Sequence, residues 1–465
     1  MRTLMWTRVT ATRGTAVPVR AGRARALWVS GRVPVAAWTL IGALVLGGCG
    51  GAASHPARPG PQPPSQSLAA HGMQMSPGMQ MSRLDPQRQA VELRTGLEEL
   101  FGQDVFVGVR VTRSRLRGDP DFTQAAVSAL SRNSDDLTMF LGRVYGSARA
   151  EEFRRLWESQ QEGLVAYARA ASQHDQAAKA AARGQLGAFP GRIARFLHGL
   201  TSGKIATPVI RSRLRTHVED LMGFTDAYAA DHYARAYRIE RVDYERQFAF
   251  GTVIAAGIAR GRAGGLPAGF DSSLTRLRSA LGELLGEHHQ LAVDAMGAAL
   301  RGGPEFRADA AQVNADTEQL ASGFGVLFGP QSGRRFASVW GDHVDALVSY
   351  SGAVAAKDQQ GKARAVARLR AFERHLSTFL STSTDGRLTA PALVAVLRMH
   401  DRELIQQLDA YARGDYMTTY RVVYEGYQHM FGVAKALSGA IGPTIAARLP
   451  KGGVQTGGGG MARSR

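Results

Sequence analysis

The chain contains two copies of one long segment, and this duplication limits what it can fold into. Four residues of the first copy recur 183 positions later as the same residue type: His217 and His400, Tyr233 and Tyr416, Tyr237 and Tyr420, Tyr244 and Tyr427. Nearer the start of each copy, residues 116–120 match residues 300–304 at an offset of 184. An internal period this long indicates two domain-sized units rather than a solenoid. The sequence therefore predicts one repeat over residues 90–260 and a second over residues 270–441.

The spacing of apolar residues within each repeat is typical of helices. Leu274, Leu277, Leu281, Leu284 and Leu285 recur at intervals of three and four, which places them on one helical face. Gly and Pro residues divide each repeat into about six such segments, and residues 105–111 are the one run that could also form a strand. We therefore expect an all-α protein, with two tandem helical-bundle domains after a signal peptide and a disordered tether.

The first 48 residues resemble the signal peptide of a bacterial lipoprotein. They contain seven Arg and neither Asp nor Glu, and a largely apolar run at residues 33–46 is too short to span a bilayer comfortably. The sequence Leu46-Gly47-Gly48-Cys49 follows, which is similar to a lipobox, and Cys49 is the only cysteine. The resemblance implies that residues 1–48 are removed and that Cys49 carries a lipid. A plain signal peptide or an uncleaved anchor is the alternative.

Residues 49–89 have the composition of a lipid-anchored flexible tether, and residues 442–465 that of a Gly-rich flexible tail. The tether contains a tandem Gly-Met-Gln-Met-Ser that starts just after a histidine. Thioethers are soft ligands suited to Cu(I). The residues that would capture it are His71, Met73, Met75, Met79 and Met81, and the alternative is an expanded linker without a ligand.

The charge of the chain adds little to this interpretation. The formal net charge is +18, but seven of the 57 basic residues lie in the leader and the rest are scattered along predicted helices. Nucleic acid is therefore not an expected partner, and a solvated surface is the simplest explanation. The expected location is outside the cytoplasmic membrane, held by the N-terminal lipid, with an envelope protein as a further partner left open.

Histidines distinguish the second repeat from the first. His288, His343, His400 and His429 fall on four different predicted helices, whereas of the four equivalent positions in the first repeat only position 217, opposite His400, holds a histidine. Imidazoles from facing helices can build a metal site in a bundle, and they suit Cu, Zn or Fe. The surrounding residues that could orient such ligands or add an oxygen are Glu287, Asp415, Glu425 and Tyr427. Histidines that only pack in the core, or a proton-linked or anion-binding pocket, are the alternatives.

These motifs resemble a family of exported bacterial helical proteins of unknown activity. The shared pattern is Glu-His, Leu-Trp-x-x-His, His-Val and His-Met, which this chain matches at Glu287-His288, residues 339–343, His400-Asp401 and His429-Met430. It departs from the pattern with Val339 for Leu and Asp401 for Val. Some relatives carry a copper amine oxidase label, but the residues from which such enzymes form their quinone are absent here. The resemblance therefore implies a fold and a histidine site without implying a reaction.

No motif of a known reaction class occurs in the sequence. It contains no nucleophile elbow, phosphate loop, dinucleotide fingerprint or His-Glu-x-x-His. Binding is thus favoured over catalysis, and an enzyme would require redox chemistry at the metal. The sequence predicts an extracytoplasmic lipoprotein that binds a transition metal, with copper favoured. The alternative is a cell-envelope scaffold that binds another protein and uses its histidines structurally.

Overall fold

The computed structural model describes residues 86–448, and within that range every regular element is an α-helix. This confirms the predicted fold class, and residues 105–111 prove to be a buried part of the first helix. Among the described helices, none combines the length and the apolar character needed to cross a membrane.

The helices of the first repeat are followed by six helices of similar length in the second. The first six are α1 (Pro86–Arg117), α2 (Pro120–Tyr145), α3 (Ser147–Ser172), α4 (Gln176–Leu200), α5 (Thr207–Ala229) and α6 (Tyr233–Ala263). The second six are α7 (Ser273–Arg301), α8 (Pro304–Phe328), α9 (Pro330–Ala355), α10 (Gln359–Ser383), α11 (Ala390–Ala412) and α12 (Tyr416–Arg448).

Local sequence explains why the helices begin and end at these residues. The side chains of Asp175 and Asp358, 183 positions apart, both accept a hydrogen bond from a backbone N–H in the first turn, of α4 and α10 respectively. Such caps satisfy donors that have no partner inside the helix. Gly302, with φ of 71°, ends α7 in a conformation that favours glycine, and Pro304 then occupies the first turn of α8.

The two sets of six helices form one compact unit, and they contact each other reciprocally. Helix α1 packs on α6 and α7 on α12, while α2 contacts α12 just as α8 contacts α6. At the centre, the hydroxyls of Tyr244 and Tyr427 lie 3.4 Å apart. Tyr244 donates to the carbonyl of Glu283, and Tyr427 to that of Glu99, the equivalent residue. The two sets are therefore related by an approximate two-fold axis; gene duplication itself stays a prediction from the sequence.

Candidate metal centre

Three histidines meet in the core of the second half. His288 comes from α7, His343 from α9 and His400 from α11, and one ring nitrogen of each lies within 4.8 Å of the other two. Their ring centroids are 5.7 to 6.0 Å apart, so the rings form a nearly equilateral triangle. His288 and His343 are fully buried and His400 is 4% exposed. Long helices thus bring together residues that are more than fifty positions apart in sequence.

His288 is oriented by residues outside the triangle. Its Nδ1 lies 2.9 Å from a carboxylate oxygen of Asp316, on α8, and 3.3 Å from Nε1 of Trp340. The two contacts require different tautomers, because the N–H of Trp340 can only donate to Nδ1 whereas the carboxylate of Asp316 can accept from it; we assign the Nδ1 proton to the shorter contact, with Asp316. Nε2 then carries the lone pair, and it has no hydrogen-bond partner among the described residues. A carboxylate behind the ligating ring is the usual arrangement for a metal-binding histidine.

His343 and His400 are neutral imidazoles. Burial lowers the pKa of both side chains well below its ordinary value, and neighbouring histidines lower it further. Neither ring makes a hydrogen bond through either nitrogen within residues 86–448. The nearest approach is between Nδ1 of His343 and Oδ1 of Asp401, at 3.5 Å. Buried polar atoms without partners are uncommon in native proteins, and a bound ion, a water or a catalytic role is the usual explanation for them.

The corresponding place in the first half is closed by ion pairs. His217, the equivalent of His400, lies between Asp243 and Asp104, with nitrogen–oxygen distances of 2.8 and 3.4 Å. Burial opposes its charge, but the two carboxylates raise its pKa to about 10. Asp104 stands where the second half has His288, and Gln160 where it has His343. A charged histidine offers no lone pair to a metal, so the two halves have opposite chemistry at matched positions.

The structure places His429 outside this triangle. Its Nδ1 lies 3.1 Å from a carboxylate oxygen of Glu403, and the equivalent pair in the first half is Arg246 with Asp220. His429 and its counterpart Arg246 therefore each pair with an acidic residue, which explains why His429 is not one of the converging histidines. Spacing along the sequence could not distinguish a ligand from an ion-pair partner on the same helix.

The four residues predicted to surround the metal make contacts elsewhere. Glu287 pairs with Arg241 of the first half at 2.7 Å, and Tyr427 lies on the central axis. Asp415 caps α12 through the backbone N–H of Thr418, and Glu425 forms half-exposed ion pairs with two arginines. Among the described residues, no hydrogen bond or ion pair joins these four side chains to the three histidines.

Two residues near the triangle were not predicted to take part in the site. Asp316 was detectable, because it interrupts the apolar face formed by Val313 and Leu320 on α8. His289 was not distinguishable from its neighbour by sequence alone. Its ring lies 5.6 Å from that of His400, burial lowers its pKa to about 3, and its Nε2 donates to the carbonyl of Val423. Gly426, which replaces Asp243 of the first half, makes room for this ring.

The remaining predicted site residues, Cys49 and the tether residues His71, Met73, Met75, Met79 and Met81, lie outside the described range. Comparisons of the chain with family models, with curated proteins and with solved structures find no match.

Proposed function

We propose that this protein is a lipoprotein, anchored outside the cytoplasmic membrane, that binds a transition metal through His288, His343 and His400. The observation that carries the proposal is the convergence of three buried histidines with unpartnered ring nitrogens at one point. An apolar bundle core normally excludes such groups, because each buried polar atom without a partner costs free energy. A bound ion would satisfy all three at once.

The protonation of the ligands supports metal binding. A metal competes with protons for the imidazole lone pair, so a neutral ring binds without first losing a proton. Burial already holds His343 and His400 neutral, and Asp316 fixes the tautomer of His288 that leaves Nε2 free. The three nitrogens must approach by about 1 Å, since ligands of a four-coordinate zinc lie about 3.4 Å apart.

Copper is the metal that the whole sequence favours, while three imidazoles alone would also suit Zn or Fe. The preference for copper comes from the methionines of the tether, which would capture Cu(I) and deliver it to the histidines. The lipid on Cys49 would keep tether and bundle at the membrane surface, where an exported protein meets incoming metal. The first half, whose matched position is closed by Asp104 and Asp243, would have a structural role.

Metal loading of the purified full-length protein tests the proposal. Samples are exposed to Cu(I), Cu(II), Zn(II) and Fe(II), desalted and analysed for bound metal by elemental analysis. We expect close to one tightly held ion per chain at the histidines. His343→Gln, which introduces the residue found at position 160 of the first half, should lower the affinity of that ion at least about tenfold, because it removes one of three ligands.

His429→Gln is the matched control, since it replaces a histidine of the same half that pairs with Glu403. It should leave metal binding unchanged. Combining each variant with Met79→Leu and Met81→Leu separates a contribution of the tether from that of the bundle. A protein that folds but retains no metal after all four exposures would refute the proposal and leave an envelope scaffold with structural histidines.

A further inference from the structure

A second group of polar residues lies at the contact between the two halves, around a cavity that none of the three converging histidines lines. This partly open cavity of about 40 Å³ is lined by four arginines from α1 and α7, by aromatic rings and by one carboxylate, that of Asp294. The arginines are Arg110, Arg113, Arg117 and Arg301, and the rings are those of Phe122, Tyr411 and Tyr420. A cavity of this size holds a few water molecules or one small ion.

The hydroxyl of Tyr420 has no hydrogen-bond partner among the described residues, although its side chain is only 4% exposed. Burial raises its pKa above its ordinary value, against the opposing effect of the arginines, so it stays protonated and can donate. The neighbouring hydroxyl of Tyr411 accepts from Arg301 at 3.2 Å. A buried hydroxyl normally finds a partner, and this one lines the cavity.

The equivalent position across the axis shows what these residue types bind. Tyr228 and Tyr237, the counterparts of Tyr411 and Tyr420, both donate to Oε1 of Glu305, at 2.8 and 2.6 Å. Arg117, the counterpart of Arg301, donates to the same oxygen at 2.6 Å. Two tyrosines and an arginine therefore hold a carboxylate that the chain itself supplies.

The cavity side has no carboxylate bonded to Tyr420, since Asp294, which lines the cavity, pairs with Arg110 and Arg113. The counterpart of Glu305 is Asp121, which is one methylene shorter and exposed, and its side chain makes no hydrogen bond or ion pair within residues 86–448. The carboxylate of Glu305 also reaches towards this side, since its second oxygen accepts from Arg301 at 2.9 Å. Neither oxygen of Glu305 forms a hydrogen bond with Tyr420, whose hydroxyl therefore has no partner among the described residues.

The charges around the cavity are not balanced. Coulombic attraction to arginines keeps Glu305 and Asp294 ionised despite burial, which alone would raise the pKa of each. Burial raises the pKa of Asp309 to about 8 and that of Glu240 well above its ordinary value, so both are mainly protonated at neutral pH. Four guanidinium groups thus meet two carboxylates, and buried charge without compensation is costly.

We infer that the cavity is a binding site for a small oxyanion, a carboxylate or a phosphate, held by Tyr420, Tyr411 and the four arginines. The bound group would take the place that the Glu305 carboxylate occupies across the axis. Guanidinium groups bind both classes through charge-assisted hydrogen bonds. None of the three converging histidines lines this cavity, so anion binding can be tested independently of metal binding.

Calorimetric titration of the purified full-length protein tests this inference, with acetate and inorganic phosphate as probes and chloride at equal ionic strength as the reference. We expect saturable binding of one anion per chain for at least one probe, and the preferred probe identifies the class. Tyr420→Phe should weaken that binding about tenfold, the effect of losing one hydrogen bond to a charged group. The variant removes only an unpartnered hydroxyl and should fold normally.

Two further variants make the result specific. Tyr237→Phe alters the matched hydroxyl on the occupied side and should leave anion affinity unchanged. Asp121→Glu supplies a longer carboxylate at the counterpart of Glu305, which should compete with the probe and weaken its binding. Heats no larger than those of chloride for both probes, or equal losses of affinity from Tyr420→Phe and Tyr237→Phe, would overturn the inference.

Discussion

Single residues decide the chemistry of the two matched histidine positions. His217 is held charged by Asp104 and Asp243, whereas His400 is held neutral among other histidines. The backbone positions correspond, so the difference comes from the side chains around each ring. The two histidines should therefore respond to pH in opposite directions.

The pH dependence of stability can be predicted for His217. Its folded-state pKa of about 10 lies above the unfolded value of 6.5, so its contribution is fully present below pH 6.5 and is lost as the pH rises towards 10. His217→Gln should therefore lower the free energy of unfolding much more at pH 7 than at pH 10. Urea denaturation of wild type and variant at both pH values measures this.

His400→Gln provides the comparison. The folded pKa of His400 lies well below 6.5, so its titration does not affect stability above that pH and disfavours the folded state as the pH falls below it. The metal-free variant should thus lose less stability on acidification than wild type does. Parallel pH profiles for wild type and both variants would contradict the assigned protonation states.

Part of the site could be predicted from these residues and part could not. The contrast between His288 and Asp104, and between His343 and Gln160, is visible in the aligned repeats, and it marks two of the three histidines that the structure brings together. His429 was grouped with them because it also differs between the repeats. Only the packing of α11 against α12 shows that it pairs with Glu403, because sequence spacing fixes a helical face but not the residue opposite.

At the level of elements, the helices were predictable because caps and breaks are local. Asp358, Gly302 and Pro304 act within one turn of their own position. How closely two helices approach depends on residues far apart in sequence. Helix α6 lies against α1 at Gly251, where a Cβ would come within 2.6 Å of the backbone of Leu97 and Glu98. The equivalent residue in α12 is Ala434, so the two halves differ in this contact.

Gly251→Ala should destabilise the protein by about 2 kcal/mol, because the added methyl group meets backbone atoms that cannot rotate away and must push the helices apart. Gly432→Ala, in α12, is the control, since nothing lies within 4 Å of its Cβ position. There the change should stabilise the helix by about 1 kcal/mol. Urea denaturation measures both, and a stabilising effect of Gly251→Ala would show that α6 and α1 are not in close contact.

At the scale of the whole molecule, the contact between the halves contains charged groups as well as apolar ones. Glu305 accepts hydrogen bonds from Arg113, Arg117 and Arg301, and these residues come from both halves. Arg241 and Glu287 form a further buried pair across the same contact. The repeats were predicted as tandem domains, and their shared ionic contacts mean that neither half has a complete interior alone. Sequence could not reveal this, because reciprocal pairing depends on how the two copies dock.

The two halves should therefore unfold together. Trp157 and Trp340 are buried at equivalent positions, one in each half. In protein prepared without residues 1–48, which hold the other three tryptophans, Trp340→Phe and Trp157→Phe leave one fluorescent reporter in the first and the second half respectively. Urea transitions of the two variants should coincide with each other and with that seen by far-UV circular dichroism. Adding Glu305→Gln should lower stability by about 3 kcal/mol, since it leaves buried arginines without their carboxylate. It should shift both reporters equally, whereas separate midpoints for the two halves would mean that each folds alone and that the ionic contacts only dock them.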